Sequence, residues 1–91
     1  MNKTMLKLYK FFWDCGSQGH IEGVFIAEES DVEKVNYVYF GEVLGKHSEI
    51  GGDLEENDIT IVSEDQELIL KLEEVFGSKT ISGYNPLEYS D

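Results

Sequence analysis

Two strand-like segments open the sequence. Between Met5 and Trp13, residue alternation places apolar or aromatic side chains on both faces of an extended strand. A second segment rich in β-branched and aromatic residues, His20–Glu28, follows a loop at 16–19 that contains two glycines. Two such segments joined by a short glycine-containing loop predict a β-hairpin.

Capping residues and apolar spacing predict two helices. Ser30 and Glu33 have the spacing of a capping box and predict a short helix over Asp31–Asn36. Ser63 is the predicted N-cap of a longer helix, which ends at Gly77. Apolar residues recur on one face of this second helix, which predicts that the face packs on a core. These residues are Leu68, Ile69, Leu72, Val75 and Phe76.

Three further strands are predicted between the two helices. They cover Tyr37–Leu44, His47–Leu54 and Ile59–Val62, and the glycines at 51 and 52 predict a bulge or sharp bend in the middle one. Residues 78–91 are too aromatic for a disordered tail. We therefore expect this C-terminal segment to dock on the body of the protein.

The order of these elements, β-β-α-β-β-β-α, predicts an α+β fold. Short connections between successive strands favour antiparallel pairing. We therefore expect a single domain over residues 1–91. It is built on a curled antiparallel sheet of about five strands, with one amphipathic helix packed on the sheet.

Charge narrows the range of functions. The 91 residues contain 7 lysines, no arginine and 19 acidic residues, so the net charge is −12. This charge repels phosphate, which argues against direct nucleic-acid binding, and no basic helix is present to bind an anionic membrane. Cys15 is the single cysteine, which argues against a disulfide scaffold. A lone cysteine, together with the lack of a recognised export signal, predicts a reducing, cytoplasmic location.

The residues that could carry catalysis or bind a metal do not form a recognisable site. Cys15 and His20 flank one loop, but acidic surroundings disfavour a thiolate and no third group is placed to orient the histidine. The segment Asp53–Asn57 resembles the start of a calcium loop, but Asp58 stands where the sharp turn needs a glycine. We therefore predict a protein that is not an enzyme and has no metal site and no cofactor.

Three stretches of the sequence carry a resemblance. Tyr9–Gly16, Tyr39–Glu49 and Ile81–Leu87 are similar to small acidic proteins of unknown function from bacteriophages and mobile elements. The resemblance implies a bacterial host cell and action by stoichiometric binding. It also implies that inhibition of a host defence protein, with carboxylates in place of nucleic-acid phosphates, is a candidate activity.

The first functional hypothesis is a non-enzymatic protein that binds a basic face of a host protein. Carboxylates in the turns between residues 42 and 58 would supply the binding surface, and salt should weaken the association. The candidate residues are Glu42, Glu49, Asp53, Glu55, Glu56 and Asp58. The many aromatic residues suit a protein interface, of which a homodimer through an edge strand is one version.

The alternative hypothesis is a protein that sequesters a small molecule such as a nucleotide signal. Its pocket would lie at a dimer interface, and lysines would offset the negative charge of the chain around an anionic ligand. The candidate residues are Lys10, Tyr39, Lys46, His47, Tyr84 and Asn85.

Overall fold

The computed structural model describes residues 5–41 and 49–90 of the chain. Within these residues it contains six strands and two α-helices, which confirms the α+β fold. The strands are β1 (Leu6–Asp14), β2 (His20–Glu28), β3 (Tyr37–Gly41), β4 (Ile50–Asp53), β5 (Ile59–Ser63) and β6 (Thr80–Gly83). The helices are α1 (Glu29–Lys34) and α2 (Gln66–Phe76).

The strands form two sheets. The larger sheet has the order β5-β1-β2-β6, and every neighbouring pair is antiparallel. Its centre is the predicted hairpin, which pairs without interruption from Leu6 with Glu28 to Asp14 with His20. The smaller sheet pairs β3 with β4. The sequence pattern predicted one curled sheet, whereas the structure divides these strands between two sheets.

Two predicted strands run beyond the part of the chain that the structure describes. The strand predicted over 37–44 is described as far as Gly41, and the strand predicted over 47–54 is described from Ile50 as β4. The bulge expected at Gly51 and Gly52 of β4 lies instead in the partner strand β3, where Phe40 is the extra residue. The register shifts between Tyr39 and Gly41 of β3, opposite β4.

The first face of the larger sheet carries Tyr9, Phe11 and Phe25 and is sealed by the smaller sheet. All three side chains are buried. The Phe11 ring stacks on Phe40 of β3 with centroids 5.7 Å apart, and Tyr9 stacks on Phe25 at 5.4 Å. Val38 of β3 is buried in the same cluster. Aromatic packing between the two sheets therefore forms the main core.

The second face of the larger sheet packs on α2. Leu8 of β1 and Ile26 of β2 form a smaller core with Ile69 of the helix. The side chain of Gln66, at the start of α2, donates a hydrogen bond of 2.7 Å to the carbonyl oxygen of Leu6. This bond fixes the helix over the end of the sheet where β1 begins.

The apolar face of α2 is only partly covered, which corrects the expectation that all of its apolar residues face a core. Ile69 is fully buried and Leu72 is half-buried, but Leu68, Val75 and Phe76 are 42%, 71% and 52% exposed. The reason is geometric. Because the helix contacts β1 and β6 near one end of the sheet, part of its apolar face extends beyond the strands.

Both helices begin differently from the capping prediction. The side chain of Asp65, rather than Ser63, accepts hydrogen bonds from two backbone amides in the first turn of α2. Ser63 still belongs to β5 and accepts a hydrogen bond from the backbone amide of Asp65. The first helix begins at Glu29, so that Ser30 lies inside it and makes no cap. In both cases the position of the preceding strand decides where the helix starts.

The C-terminal segment connects the two sheets. After β6 pairs with β2, the backbone amide of Tyr84 donates to the carbonyl oxygen of Glu22 at 3.0 Å. Tyr84 passes so close to Gly23 that a Cβ atom there would lie 2.0 Å from the Tyr84 carbonyl oxygen. Farther along, Ser90 forms an isolated bridge with Val38 of β3. Residues 84–90 thus pack across the first face of the larger sheet.

Candidate binding groove

An acidic groove lies between the edge of β4, the end of β1 and the turn that precedes β5. Its volume is about 570 Å³. Five carboxylate side chains line it, and no lysine or histidine is among the described residues of its wall. The five residues are Asp14, Glu49, Asp53, Glu55 and Asp58. We call this surface the acidic groove.

Trp13 forms the apolar part of the groove wall. Its ring is held against Phe11 and Phe40, with centroid separations of 5.5 and 5.6 Å. Gly52 of β4 faces this ring, and a Cβ atom there would stand 3.8 Å from its nearest carbon. The indole is therefore fixed by the core on one side while the groove opens on the other.

Asp58 organises the groove from within. Its Oδ2 atom accepts a hydrogen bond of 2.8 Å from the indole Nε1 of Trp13 and another of 2.8 Å from the backbone amide of Glu55. One carboxylate thus holds both the tryptophan ring and the turn before β5. This role places Asp58 among the structural residues of the groove, although its charge still contributes to the field.

Three further carboxylates that line the groove and were predicted for recognition are exposed. Glu49, Asp53 and Glu55 all face solvent at the rim. Glu49 accepts a hydrogen bond of 3.1 Å from the hydroxyl of Tyr39. Rings of Tyr37 and Tyr39 also lie over Gly51 on the outer side of β4, since a Cβ atom there would meet Tyr39 at 2.9 Å. The space that Gly51 leaves open is thus filled by the protein's own tyrosines.

Four of the six acidic residues predicted for partner binding therefore converge on one groove. Glu56 is exposed in the adjoining turn but does not line the groove, and Glu42 lies outside the described residues. Sequence reasoning missed Trp13 and Asp14. Their signal was the end of an aromatic strand directly before a glycine loop, yet the contact of Trp13 with Asp58 joins residues 45 positions apart.

The residues of the small-molecule alternative are not gathered into one cavity in the described part of the chain. Lys10 lies on the open part of the larger sheet, whereas Tyr39 lies on the outer side of the smaller one. Tyr84 packs against Phe40. The buried Asn85 side chain caps the final 3-10 turn by accepting a hydrogen bond of 2.9 Å from the backbone amide of Leu87. The remaining two residues of this alternative lie outside the described residues; these are Lys46 and His47.

Cys15 and His20 lie on opposite sides of the hairpin. The half-buried Cys15 packs against the core of the first face, and burial, followed by the charge of Asp14, raises the pKa of its thiol. The His20 ring instead stacks on Phe12, on the second face, at 5.3 Å and lies 3.0 Å from a carboxylate oxygen of Glu22. The geometry does not combine the thiol and the imidazole.

Within residues 5–41 and 49–90, no group of three or more His, Cys, Asp and Glu side chains is arranged to hold a metal ion. No helix in the same residues is both long enough and apolar enough to cross a membrane. Comparison of the chain with protein-family models, with curated proteins and with solved structures gives no match. The resemblance to small acidic phage proteins therefore stays a prediction.

Proposed function

We propose that this protein is a non-enzymatic binding protein that blocks a partner protein by inserting a basic side chain of the partner into the acidic groove. The observation that carries the proposal is that Asp14, Glu49, Asp53 and Glu55 line one groove together with Trp13. Carboxylates attract a cation and the indole face adds a cation–π contact. Both features favour lysine or arginine as the ligand.

Arginine suits this groove better than lysine does. A guanidinium is planar, donates several hydrogen bonds in a fixed geometry and stacks on aromatic rings, whereas an ammonium group is a compact, strongly hydrated charge. The net charge of −12 adds a long-range attraction that accelerates the encounter with a basic face. Association should weaken as salt concentration rises.

Within the setting that the resemblance implies, the partner is a host defence protein with a basic face that ordinarily binds nucleic acid. The acidic groove would then occupy the face in place of phosphates, as in charge mimicry. In this proposal the protein competes with nucleic acid for the basic face of the partner and does not bind nucleic acid itself.

The fluorescence of Trp13 offers a direct test, because it is the single tryptophan of the chain. We expect an arginine-rich peptide to change its emission on titration, with an affinity that falls as salt rises. The groove variant Glu49→Gln/Asp53→Asn/Glu55→Gln should lose about tenfold or more in affinity. The matched control, Asp31→Asn/Glu33→Gln/Glu74→Gln, neutralises three exposed acids on the helices and should bind almost as well as wild type.

Affinity capture from a bacterial lysate extends this test to a real partner. We expect wild type and the control variant to retain a basic protein at low salt and to release it at high salt or on addition of competing nucleic acid. The groove variant should not retain it. Equal loss in both variants would mean that net charge rather than the groove governs binding, and unchanged capture by the groove variant would contradict the proposal.

A further inference from the structure

β5 is an outer strand of the larger sheet and is unusually free of charge for an edge in so acidic a chain. Its five residues, Ile59–Ser63, include no charged residue, no glycine and no proline. Ile61 and Val62 are 49% and 53% exposed. In the part of the chain that the structure describes, β1 is its single paired neighbour. Natural edge strands are commonly protected by charge, proline, a bulge or a covering element. β5 has one bulge, between Ile61 and Ser63, but no charge and no proline within its length.

The hydrogen-bond phase of the ladder shows which backbone groups face outwards. The amide of Phe12 donates to the carbonyl oxygen of Asp58 at 3.0 Å, so this antiparallel pair is a hydrogen-bonded one. Such pairs recur every two residues, so Lys10 and Thr60, which lie opposite each other, also form a hydrogen-bonded pair. The amide and carbonyl groups of Ile59 and Ile61 therefore point away from β1, where they can pair with another strand.

The two ends of β5 are strongly acidic. Three acidic residues precede the strand and three follow it; these are Glu55, Glu56, Asp58, Glu64, Asp65 and Glu67. Lys10 lies opposite Thr60 near the centre of β5. At one end of the strand, the Nζ of Lys7 lies 3.3 Å from Glu29 and 3.9 Å from Glu64. This lysine offsets only part of the negative charge at one end.

This charge pattern distinguishes between occupants of the edge. In a dimer formed by two copies of β5, acidic ends would meet acidic ends in either strand orientation, and like charges across an interface oppose binding. A strand with an uncharged centre and lysine or arginine at both ends would place cations against both acidic clusters. The same acidic ends act as gatekeepers against self-association.

We propose that the free edge of β5 binds an extended segment of a partner protein by strand addition, and that this segment has an uncharged, β-branched centre with basic residues at both ends. Backbone hydrogen bonds to Ile59 and Ile61 supply the pairing, and the acidic ends select the partner. This interaction surface is separate from the acidic groove, although the turn at 55–58 borders both. The inference does not depend on the proposed function.

The test uses a synthetic peptide whose centre alternates threonine and valine over the length of β5, with lysines at both ends. The control peptide has the same centre and glutamates at both ends. In an amide NMR titration of the full chain, we expect the lysine-ended peptide to shift the Ile59 and Ile61 signals and slow their hydrogen exchange. The glutamate-ended peptide should bind at least about tenfold more weakly.

Two variants of one residue examine the edge itself. Ile61→Pro removes an outward amide and no bond of the β1 ladder, because proline lacks the N–H group. Ile61→Glu keeps the backbone and adds a like charge to the edge. Each should weaken binding of the lysine-ended peptide by about tenfold or more, whereas Leu70→Glu, at a 59% exposed site on α2, should not.

Four results would overturn the proposal. These are equal affinity for both peptides, protection of amides elsewhere than β5, no binding of the lysine-ended peptide to the folded chain, and a dimer of the protein alone that protects Ile59 and Ile61. The variant Glu49→Gln/Asp53→Asn, which neutralises two acids of the groove and none of the six at the ends of β5, separates this proposal from the function proposed above. If the lysine-ended peptide binds wild type and also shifts the amide signals of β5 in that variant, the result supports strand addition independently of the groove.

Discussion

On one face of the larger sheet Phe11 is completely buried beneath β3, whereas on the other face its neighbour Phe12 is 45% exposed. The first face is covered by a second sheet and by the C-terminal segment. Among the described elements only α2 packs on the second face, and a helix is about 10 Å across, whereas a nine-residue strand such as β1 is about 30 Å long. A helix that crosses one end of the sheet leaves the rest open, and Lys10 and Phe12 lie in that open part.

The largest difference between the two faces should appear when a phenylalanine is removed from each. Phe11→Ala should lower the free energy of unfolding by about 3–5 kcal/mol, because it removes a fully buried ring and leaves a cavity between the sheets. Phe12→Ala should cost less than about 1 kcal/mol, since much of its ring already contacts solvent. Denaturant unfolding followed by circular dichroism measures both.

The matched pair also shows what would contradict this comparison. If both substitutions destabilise the protein equally, the second face must be covered in solution by something that α2 does not supply. If Phe11→Ala lowered the unfolding free energy less than Phe12→Ala, the main core would lie on the second face of the sheet and not on the first.

Much of the fold could be predicted because its signals are local. Alternation and a glycine loop were sufficient for the β1–β2 hairpin, and apolar spacing was sufficient for the existence of α2. The extent of burial was not predictable. Residue periodicity shows which side chains share a face, but the area of sheet available to cover Leu68 and Val75 depends on where α2 crosses it.

A medium effect is expected where the C-terminal segment closes the first face. In Gly23→Ala the new methyl group would collide with the backbone of Tyr84, 2.0 Å away, and a backbone cannot rotate aside as a side chain can. We expect a loss of about 1–3 kcal/mol and faster hydrogen exchange at the Tyr84 amide, which now bonds to Glu22. Gly52→Ala is the control, since its methyl group would make ordinary contact with Trp13.

The outcome decides whether the C-terminal segment belongs to the cooperative core. Equal stability in Gly23→Ala and Gly52→Ala would mean that the segment detaches at little cost. In that case the first face would depend on β3 and β4 alone.

The candidate groove was predictable in its charge and not in its architecture. The density of carboxylates from Glu49 to Asp58 is visible in the sequence, and four of the predicted residues do share one groove. What joins them is Trp13, whose indole donates to Asp58 across 45 positions of chain. A contact of that separation leaves no periodic signal, so it emerges only from the way β5 pairs with β1.

The smallest effect should come from the titration of Tyr9, which lies under the sealed first face. Burial raises the pKa of its hydroxyl above the ordinary value of 10.0; Lys7 opposes this shift and Glu29 adds to it. The folded state therefore holds the proton more tightly than the unfolded state, whose tyrosine ionises first. The unfolding free energy of wild type minus that of Tyr9→Phe should be constant up to about pH 9. It should then fall as the pH rises through 10.0 and towards the pKa of the folded state. A difference that stays flat or rises above pH 9 would show that folding does not raise the pKa of Tyr9, and this support for a sealed first face would be lost.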